Sequence, residues 1–325
     1  IADDATHYRV YRSETEDGKK TAVTGWQTSK SCIDPNNMTE AREIYYYWVE
    51  AALSATGANR SELSDADTGW RDMDKPSGVT ALDGASADWV AVTWNVLVDA
   101  THYRVYRSET ENGPKTAVTE WQTEGTARDT EALPGKAYYY WVNAAQNNSG
   151  FDSTGFGSPD TGWRKLKTPR VYAGDGTDTE SIPLAWDNVA DNAYYRLYRS
   201  TTSSSFGATA LTDWVRATEY SDVTVTPGDT YYYFVKAAGS ETGDYPTEFS
   251  PADQGWRKLE SPGNLQASDA TYTNQIRITW NSVWGATHYR LYRSDSAGAT
   301  KTPITNWESS TSYNDTQDLQ IGKNY

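Results

Sequence analysis

The chain has 325 residues, with 29 lysines and arginines against 44 aspartates and glutamates, for a formal charge of −15. That balance excludes the basic clusters that phosphate backbones and anionic lipid surfaces require, so nucleic-acid binding and membrane insertion fall away for this segment. A single cysteine, Cys32, rules out an internal disulfide framework and a cysteine-rich zinc site, and 14 Trp and 24 Tyr beside 5 Phe and 2 Met favour strands over helical bundles.

In chain order, the first distinctive segment is ATHYRVYRS at residues 5–13. The same nine letters return at 100–108, AYYRLYRS stands at 193–200 and ATHYRLYRS at 286–294. Marked by Arg9, Arg104, Arg196 and Arg290, the intervals are 95, 92 and 94 residues, a domain-sized repeat. The expected units are 1–74, lacking its first two strands; 75–167 and 168–260, complete; and 261–325, lacking its last two. The chain starts at Ile1 inside a unit and stops at Tyr325 inside another, which predicts a window on a longer array. Completion of the open first unit by strands of a neighbouring molecule is the sharper alternative.

Within a complete unit the apolar residues alternate. Val79 and Ala81 predict a short first strand, and Val90, Val92 and Trp94 a half-buried second one, repeated as Ile182, Leu184 and Trp186 and as Ile276, Ile278 and Trp280. Tyr103 and Val105 follow, then a strand ending near Asp129, then Tyr138, Tyr140, Val142 and Ala144, and a last strand through Trp163. About seven short strands with turns every 8–12 residues and no helical period predict an all-β, two-sheet, immunoglobulin-like sandwich. Linkers 162–169 and 255–262 are short, free of glycine/serine tracts and carry Pro169 and Pro262, which predicts sandwiches arranged as a stiff rod.

Trp94, the Tyr-Arg-Val-Tyr-Arg of the third strand, Leu133-Pro134-Gly135 and the Tyr138-x-Tyr140-x-Val142-x-Ala144 run resemble the fibronectin type III domain, in the tandem form found in large bacterial surface and secreted proteins. The resemblance covers essentially the whole chain. It implies that the second-strand Trp fills the core and that Tyr138 and Tyr231 are corner tyrosines whose hydroxyls bond back to the main chain. The first unit departs from it at 39–44, reading Thr-Glu-Ala-Arg-Glu-Ile where the second has a Pro-Gly turn, and the fourth has Ile321-Gly322. The fold hosts many activities, so function must come from individual residues.

No residue set calls for catalysis, a metal or another cofactor. His7, His102 and His288 share one repeat position, filled by Tyr194 in the third unit, and lie a domain apart, which favours a structural role over a metal site or a triad. Cys32 aligns with Ala127, Tyr220 and Tyr313 and is expected to fill an inward slot. The acidic turn 175–180 offers oxygen ligands without the twelve-residue calcium spacing, and its sibling in the fourth unit lacks the carboxylates, so a solvated turn is preferred. Sequons at Asn37, Asn59, Asn147 and Asn314 matter only in a host that glycosylates them, and no Arg-Gly-Asp is present.

The aromatic positions carry the functional expectation. If Tyr138, Tyr140 and Val142 face inward, alternation turns Tyr139 and Trp141 outward, beside Arg104 and Tyr106 of the neighbouring strand. Arg196, Tyr198, Tyr232 and Phe234 repeat the ladder, as do Arg9, Tyr11, Tyr46 and Trp48. Its readings are cross-strand stacking that stiffens the sheet, lateral contact with another chain, and sugar stacking. Trp70, Trp163 and Trp256, each in Gly-Trp-Arg before a linker, are expected to pack across the joint between units. Trp26, Trp121, Trp214 and Trp307 form a third set without an assigned face. The whole points to a non-enzymatic extracellular or cell-surface protein, a structural or adhesive stalk or filament component that meets copies of itself, other surface proteins or glycans. A spacer or glycan-binding accessory region of a secreted polysaccharide-degrading enzyme is the alternative.

Overall fold

The computed structural model describes residues 4–35, 39–323 and 325; the sequon asparagine Asn37 lies outside them. The described residues contain strands and turns and no helix, and every named strand pair is antiparallel. The first repeat holds β1 (His7–Ser13), β2 (Thr21–Ala22), β3 (Tyr45–Ala52) and β4 (Asp67–Gly69), and the second β5 (Thr80–Ala81), β6 (Val90–Thr93), β7 (His102–Ser108), β8 (Thr116–Ala117), β9 (Thr126–Asp129), β10 (Ala137–Ala145) and β11 (Asp160–Trp163). The third holds β12 (Val171–Ala173), β13 (Ile182–Trp186), β14 (Tyr194–Ser200), β15 (Thr209–Ala210), β16 (Glu219–Asp222), β17 (Thr230–Ala238) and β18 (Asp253–Trp256). The fourth holds β19 (Gln266–Ala267), β20 (Ile276–Thr279), β21 (Tyr292–Arg293), β22 (Thr302–Pro303) and β23 (Ser312–Asp315).

The second and third repeats thus have the seven strands that the alternation predicts, split into a three-stranded sheet, β5-β6-β9 or β12-β13-β16, and a four-stranded one, β11-β10-β7-β8 or β18-β17-β14-β15. The first repeat contributes one four-stranded sheet, β2-β1-β3-β4, and the fourth a three-stranded and a two-stranded one. By compactness the chain falls into two units: 1–83 with 89–132 and 137–163, and 84–88 with 133–136 and 164–325.

The core of the second repeat is built from the inward positions of both sheets: Val90, Val92 and Trp94 meet Tyr103, Val105, Tyr138, Tyr140 and Val142, all 6% exposed or less. The third repeats it with Ile182, Leu184, Trp186, Tyr195, Leu197, Tyr233 and Val235. Burying each such side chain contributes roughly 1.5–3 kcal/mol. The corner-tyrosine expectation holds at Tyr231, whose hydroxyl oxygen accepts the Thr226 N–H at 3.2 Å; Tyr45, in the first repeat that departs from the Pro-Gly pattern, makes the same kind of bond by accepting the Glu40 N–H at 3.0 Å. The turn before that strand needs one left-handed residue: Gly135 has φ 71° and Gly228 83°, and in the first repeat Arg42 adopts 64° at the same position, so the corner survives without glycine.

Cys32 departs from its expected place. Its counterpart Ala127 is 7% exposed because it pairs opposite Val92 of β6, whereas no described strand covers Cys32, and it is exposed.

Candidate interaction face

A charged knot recurs inside every repeat. Arg107 on β7 faces inward and meets Asp129, at the end of β9 in the opposite sheet, at 2.6 Å, while the hydroxyl of Tyr140 on β10 donates to the same carboxylate at 2.9 Å. Arg12, Asp34 and Tyr47, and Arg199, Asp222 and Tyr233, repeat the arrangement, and Arg293 meets Asp315 at 2.7 Å. Each guanidinium also lies over a tyrosine ring, Arg107 over Tyr138 at 4.7 Å. Buried charge is tolerated at Asp129 and Asp222 because each carboxylate accepts four hydrogen bonds. Burial, the hydrogen bond to Asp34 and that carboxylate's charge push the Tyr47 phenol up to about 12. Burial raises Asp222, but the hydroxyl and N–H of Thr224 and the Arg199 guanidinium outweigh it and hold that carboxyl below its ordinary value. In the second and third repeats these groups tie the two sheets together, whereas in the first Asp34 and Tyr47 line an open groove.

The strands carrying the ladder are neighbours in one sheet, as expected, and their register sets Tyr106 opposite Trp141, Arg104 opposite Asn143, Tyr198 opposite Phe234 and Arg196 opposite Lys236. Exposure, however, does not follow from facing. Trp141 is 3% exposed and Phe234 3%. Phe156, from the segment between β10 and β11, lies edge-on to Tyr106 at 5.1 Å and to Trp141 at 6.4 Å, and the Lys115 ammonium sits 4.1 Å above the indole. Phe249 does the same for Tyr198 at 4.9 Å and Phe234 at 6.1 Å. Trp48 is 5% exposed beneath Lys20 at 4.1 Å. The expected open ladder is therefore a second small core on the outer face, with Arg104, Tyr106, Tyr139, Arg196, Tyr198 and Tyr232 half-buried around it. The signal for the cover lay in the sequence: Leu63, Phe156 and Phe249 each stand seven residues before the Trp of Gly-Trp-Arg.

Trp70 and Trp256 of that motif are exposed where a filled joint was expected. Trp70 is 63% exposed, and Trp256 is 38% exposed, bridges Asp175 and lies over Gly176 in the first turn of its own repeat, where no Cβ would fit. Trp163, half-buried, bridges Asp83 in the same register. The buried linker residues come three positions later: Met73 is 5% exposed and Leu166, part of the third repeat's core, 3%.

The polar contacts near these linkers involve other side chains. In the first unit Arg71 meets Asp99 at 2.6 Å, the Gln146 amide donates to the Ala41 carbonyl at 2.9 Å, and Arg42 approaches Asp152 at 3.7 Å. In the second, Asn192 donates to the Pro134 carbonyl at 2.8 Å, Gly239 packs on Gly135 with no space for a side chain, and Arg257 covers the Trp284 ring at 4.9 Å. The unassigned set finds its face too: Trp26, Trp121 and Trp214 lie against Gly57, Gly150 and Gly243, left-handed glycines in the turn after β3, β10 or β17, where any Cβ would strike the indole.

The histidines stay peripheral, each beside the preceding threonine: His102 Nδ1 lies 2.8 Å from the Thr101 hydroxyl. In the acidic turn Asp178 accepts the Glu180 N–H and the Ser181 hydroxyl, bonds that hold its carboxyl below the ordinary range. Among the described residues no group of three or more His, Cys, Asp or Glu is placed to hold a metal, and no helix is long and apolar enough to cross a membrane.

No family model matches the chain, and no curated protein matches it. Solved structures similar to it include the FN1–FN3 domains of chicken CNTN1, 14% identical with a TM-score of 0.28 over 78% of this chain and 89% of that one. A two-domain fibronectin type III segment of chicken tenascin is 18% identical with a TM-score of 0.43 over 57% of this chain and 99% of that one. An Fn3-like protein from Clostridium thermocellum is 29% identical with a TM-score of 0.26 over 29% of this chain and 97% of that one. The all-β tandem, fibronectin type III-like character rests on the repeats themselves: seven strands in two antiparallel sheets, a second-strand Trp in the core and corner tyrosines.

Proposed function

We propose that the chain is a non-enzymatic extracellular structural or adhesive protein, a stiff tandem-repeat component of a stalk or filament, with units at 1–74, 75–167, 168–260 and 261–325. The observation that carries this reading is the recurrence of one charged knot: Arg12, Arg107, Arg199 and Arg293 each meet an aspartate in the same place, so the ionisable groups hold repeats together instead of gathering in one divergent site. Catalysis needs a repeat that differs from its siblings by a paired nucleophile and base, and the repeats differ chiefly in turns and linkers. The acidic surface disfavours non-specific association and leaves contacts to defined patches. Copies of the chain or other surface proteins would meet the half-buried rim of the outer face, Arg104, Tyr106 and Tyr139 and their counterparts Arg196, Tyr198 and Tyr232, which joins arginine with tyrosine as interfaces do.

The second reading, a spacer in a secreted polysaccharide-degrading enzyme, gains from the cover over Trp141 and Phe234: a sugar-stacking platform needs an open ring, and those two rings are closed. Electron microscopy of the protein tests the first reading. Ordered filaments or laterally bundled strings that disperse when Tyr106 and Tyr139 are changed to Ser support it; isolated molecules at all concentrations, unchanged by those substitutions, favour the spacer.

A further inference from the structure

The corner where the second repeat passes into the third differs from its siblings in charge. At four positions, the residue after the left-handed turn and three in the linker, it carries Lys136, Arg164, Lys165 and Lys167. The same positions hold Glu43, Arg71, Asp72 and Asp74 one repeat earlier, and Asp229, Arg257, Lys258 and Glu260 one repeat later. Main-chain bonds fix this corner. Gly135 donates its N–H to the Arg164 carbonyl at 2.7 Å, Lys165 donates its own to the Ser86 carbonyl at 2.9 Å, and the Arg164 guanidinium donates to the Asp88 carbonyl at 3.2 Å. Leu166 is buried, and Lys165 and Lys167 on either side of it are exposed. Among the described residues no ion pair holds either ammonium. With Arg164, Asp88, Pro134 and Val189 they line a cleft of about 210 Å³, on which Asp88 is the one carboxylate.

Charge of the opposite sign gathers at the tip of the β1–β2 hairpin. Glu14, Glu16 and Asp17 are exposed there, on a turn in which the Gly18 N–H donates to the Thr15 carbonyl at 3.1 Å. A Cβ on Gly18 would strike the hydroxyls of Ser13 and Thr15, so the tip is narrow. Of the two lysines that follow, Lys20 is drawn over the Trp48 ring at 4.1 Å, which leaves Lys19 beside the three carboxylates. The second repeat has Glu109, Glu111 and Asn112 at this tip, and in the third, residues 201–207 carry no charge. Sibling repeats present the same Arg and Tyr on their outer faces, so contact through those faces alone leaves open which repeat of one copy meets which repeat of the next. Tips and corners break that equivalence.

We propose that the basic cleft at 164–167 docks the β1–β2 hairpin tip of a second copy of this chain, Glu14, Glu16 and Asp17 meeting the cations that line it. This rests on the assembly of copies proposed above and adds what sets its register. Complementary charge fixes register more than it adds affinity, and the other pairings are penalised. The same tip set against the corner of the first repeat meets Glu43, Asp72 and Asp74, and the tip at 201–207 brings the cleft no charge. Tip and cleft are different surfaces, so each copy in a pair keeps one of each unused, and association continues as an open chain unless the rotation closes a ring.

Charge reversal on both sides tests the contact in the full chain. Self-association is followed by sedimentation velocity at about 0.1 M salt, where the Debye length is about 10 Å, and at about 1 M, where it is about 3 Å. The unaltered chain should associate about tenfold more weakly at the higher salt. Lys165→Glu with Lys167→Glu should weaken association about tenfold at low salt, and so should Glu14→Lys with Glu16→Lys and Asp17→Lys. All five side chains are exposed, so circular dichroism should stay constant. An equimolar mixture of the two variants should associate as the unaltered chain does. Association that survives both reversals, or a mixture no stronger than its components, overturns this contact and leaves outer-face assembly standing. Monomers at every concentration overturn both. Binding of polygalacturonate that Lys165→Glu with Lys167→Glu abolishes, while self-association persists, also overturns it by assigning the cleft to an anionic polysaccharide.

Discussion

The first and second repeats are spelled almost alike from Ala5 and Ala100 onward, and they differ in how completely the same side chains are sealed. Tyr140 and Asp129 are 0% and 1% exposed in the closed sandwich, whereas the Asp34 side chain retains 13% exposure beside a groove and Val49 retains 39%. The knot keeps its geometry in both, with Tyr–Asp distances of 2.9 Å. Hydrogen-bond geometry thus persists without a covering strand pair, while its energetic weight depends on the strands laid over it, because an unmet polar group costs more the further it is from water.

Substitutions that probe sealing should separate the two repeats. The largest effect is expected on the outer face: Trp141→Ala should cost about 3–5 kcal/mol, as large-to-small changes at buried aromatics do, and Trp48→Ala less, since the residue at its cover position, Leu63, is itself 38% exposed. Chemical denaturation followed by tryptophan fluorescence reads both. Equal costs would mean that Phe156 contributes nothing to sealing. Next in size, Asp129→Ala should cost about 3 kcal/mol, the low end for breaking a buried pair because the Arg107 side chain is 21% exposed, and Asp34→Ala should cost less than half of that in thermal melts.

Alkaline titration sharpens the comparison without mutation. The Tyr47 phenol sits above its ordinary value of 10.0, at about 12, so its contribution is whole below pH 10 and fades as pH rises through 12. Tyr140 lies higher still, held there by burial, the Asp129 charge and its hydrogen bond. Absorbance near 295 nm should therefore show Tyr47 ionising before Tyr140, a step lost in a Tyr47→Phe variant. On the acid side, Asp222 is held low, so its contribution is present above the ordinary carboxylate value and disappears as pH falls through the lowered one. Asp222→Asn should flatten that part of the stability curve. The smallest effect is expected at Arg71→Ala, where one ion pair to Asp99 with side chains 20% and 23% exposed contributes up to about 1 kcal/mol. Limited proteolysis near residue 74 should report it before the melting temperature does.

Strand number, strand order and core-facing residues were legible because alternation and a fourfold repeat are properties of neighbouring letters. Trp141, Tyr139, Arg104 and Tyr106 were placed on the correct face for the same reason. Whether that face is open depends on Phe156, fifteen residues further on, in a segment without alternation to mark its path. The linker tryptophans misled in the opposite direction: beside a joint in sequence, Trp256 turns back over Gly176, since a left-handed glycine leaves a flat seat that a neighbouring repeat does not have to provide. Cys32 shows a third limit, for alignment names the partner strand a residue would have, and burial requires that strand to be there.

The near-identity of β1 and β7 has a consequence for how the chain reaches its fold. Both read His-Tyr-Arg-Val-Tyr-Arg-Ser, and β3 and β10 share Tyr-Tyr-Tyr-Trp-Val, so β1 offers β10 the same cross-strand partners as β7 does. Pairing across the wrong interval closes a loop roughly four times as long, which costs only about 1 kcal/mol in chain entropy. Refolding should therefore populate swapped species that exchange strands between siblings, with slow phases and hysteresis that a lone repeat would not show.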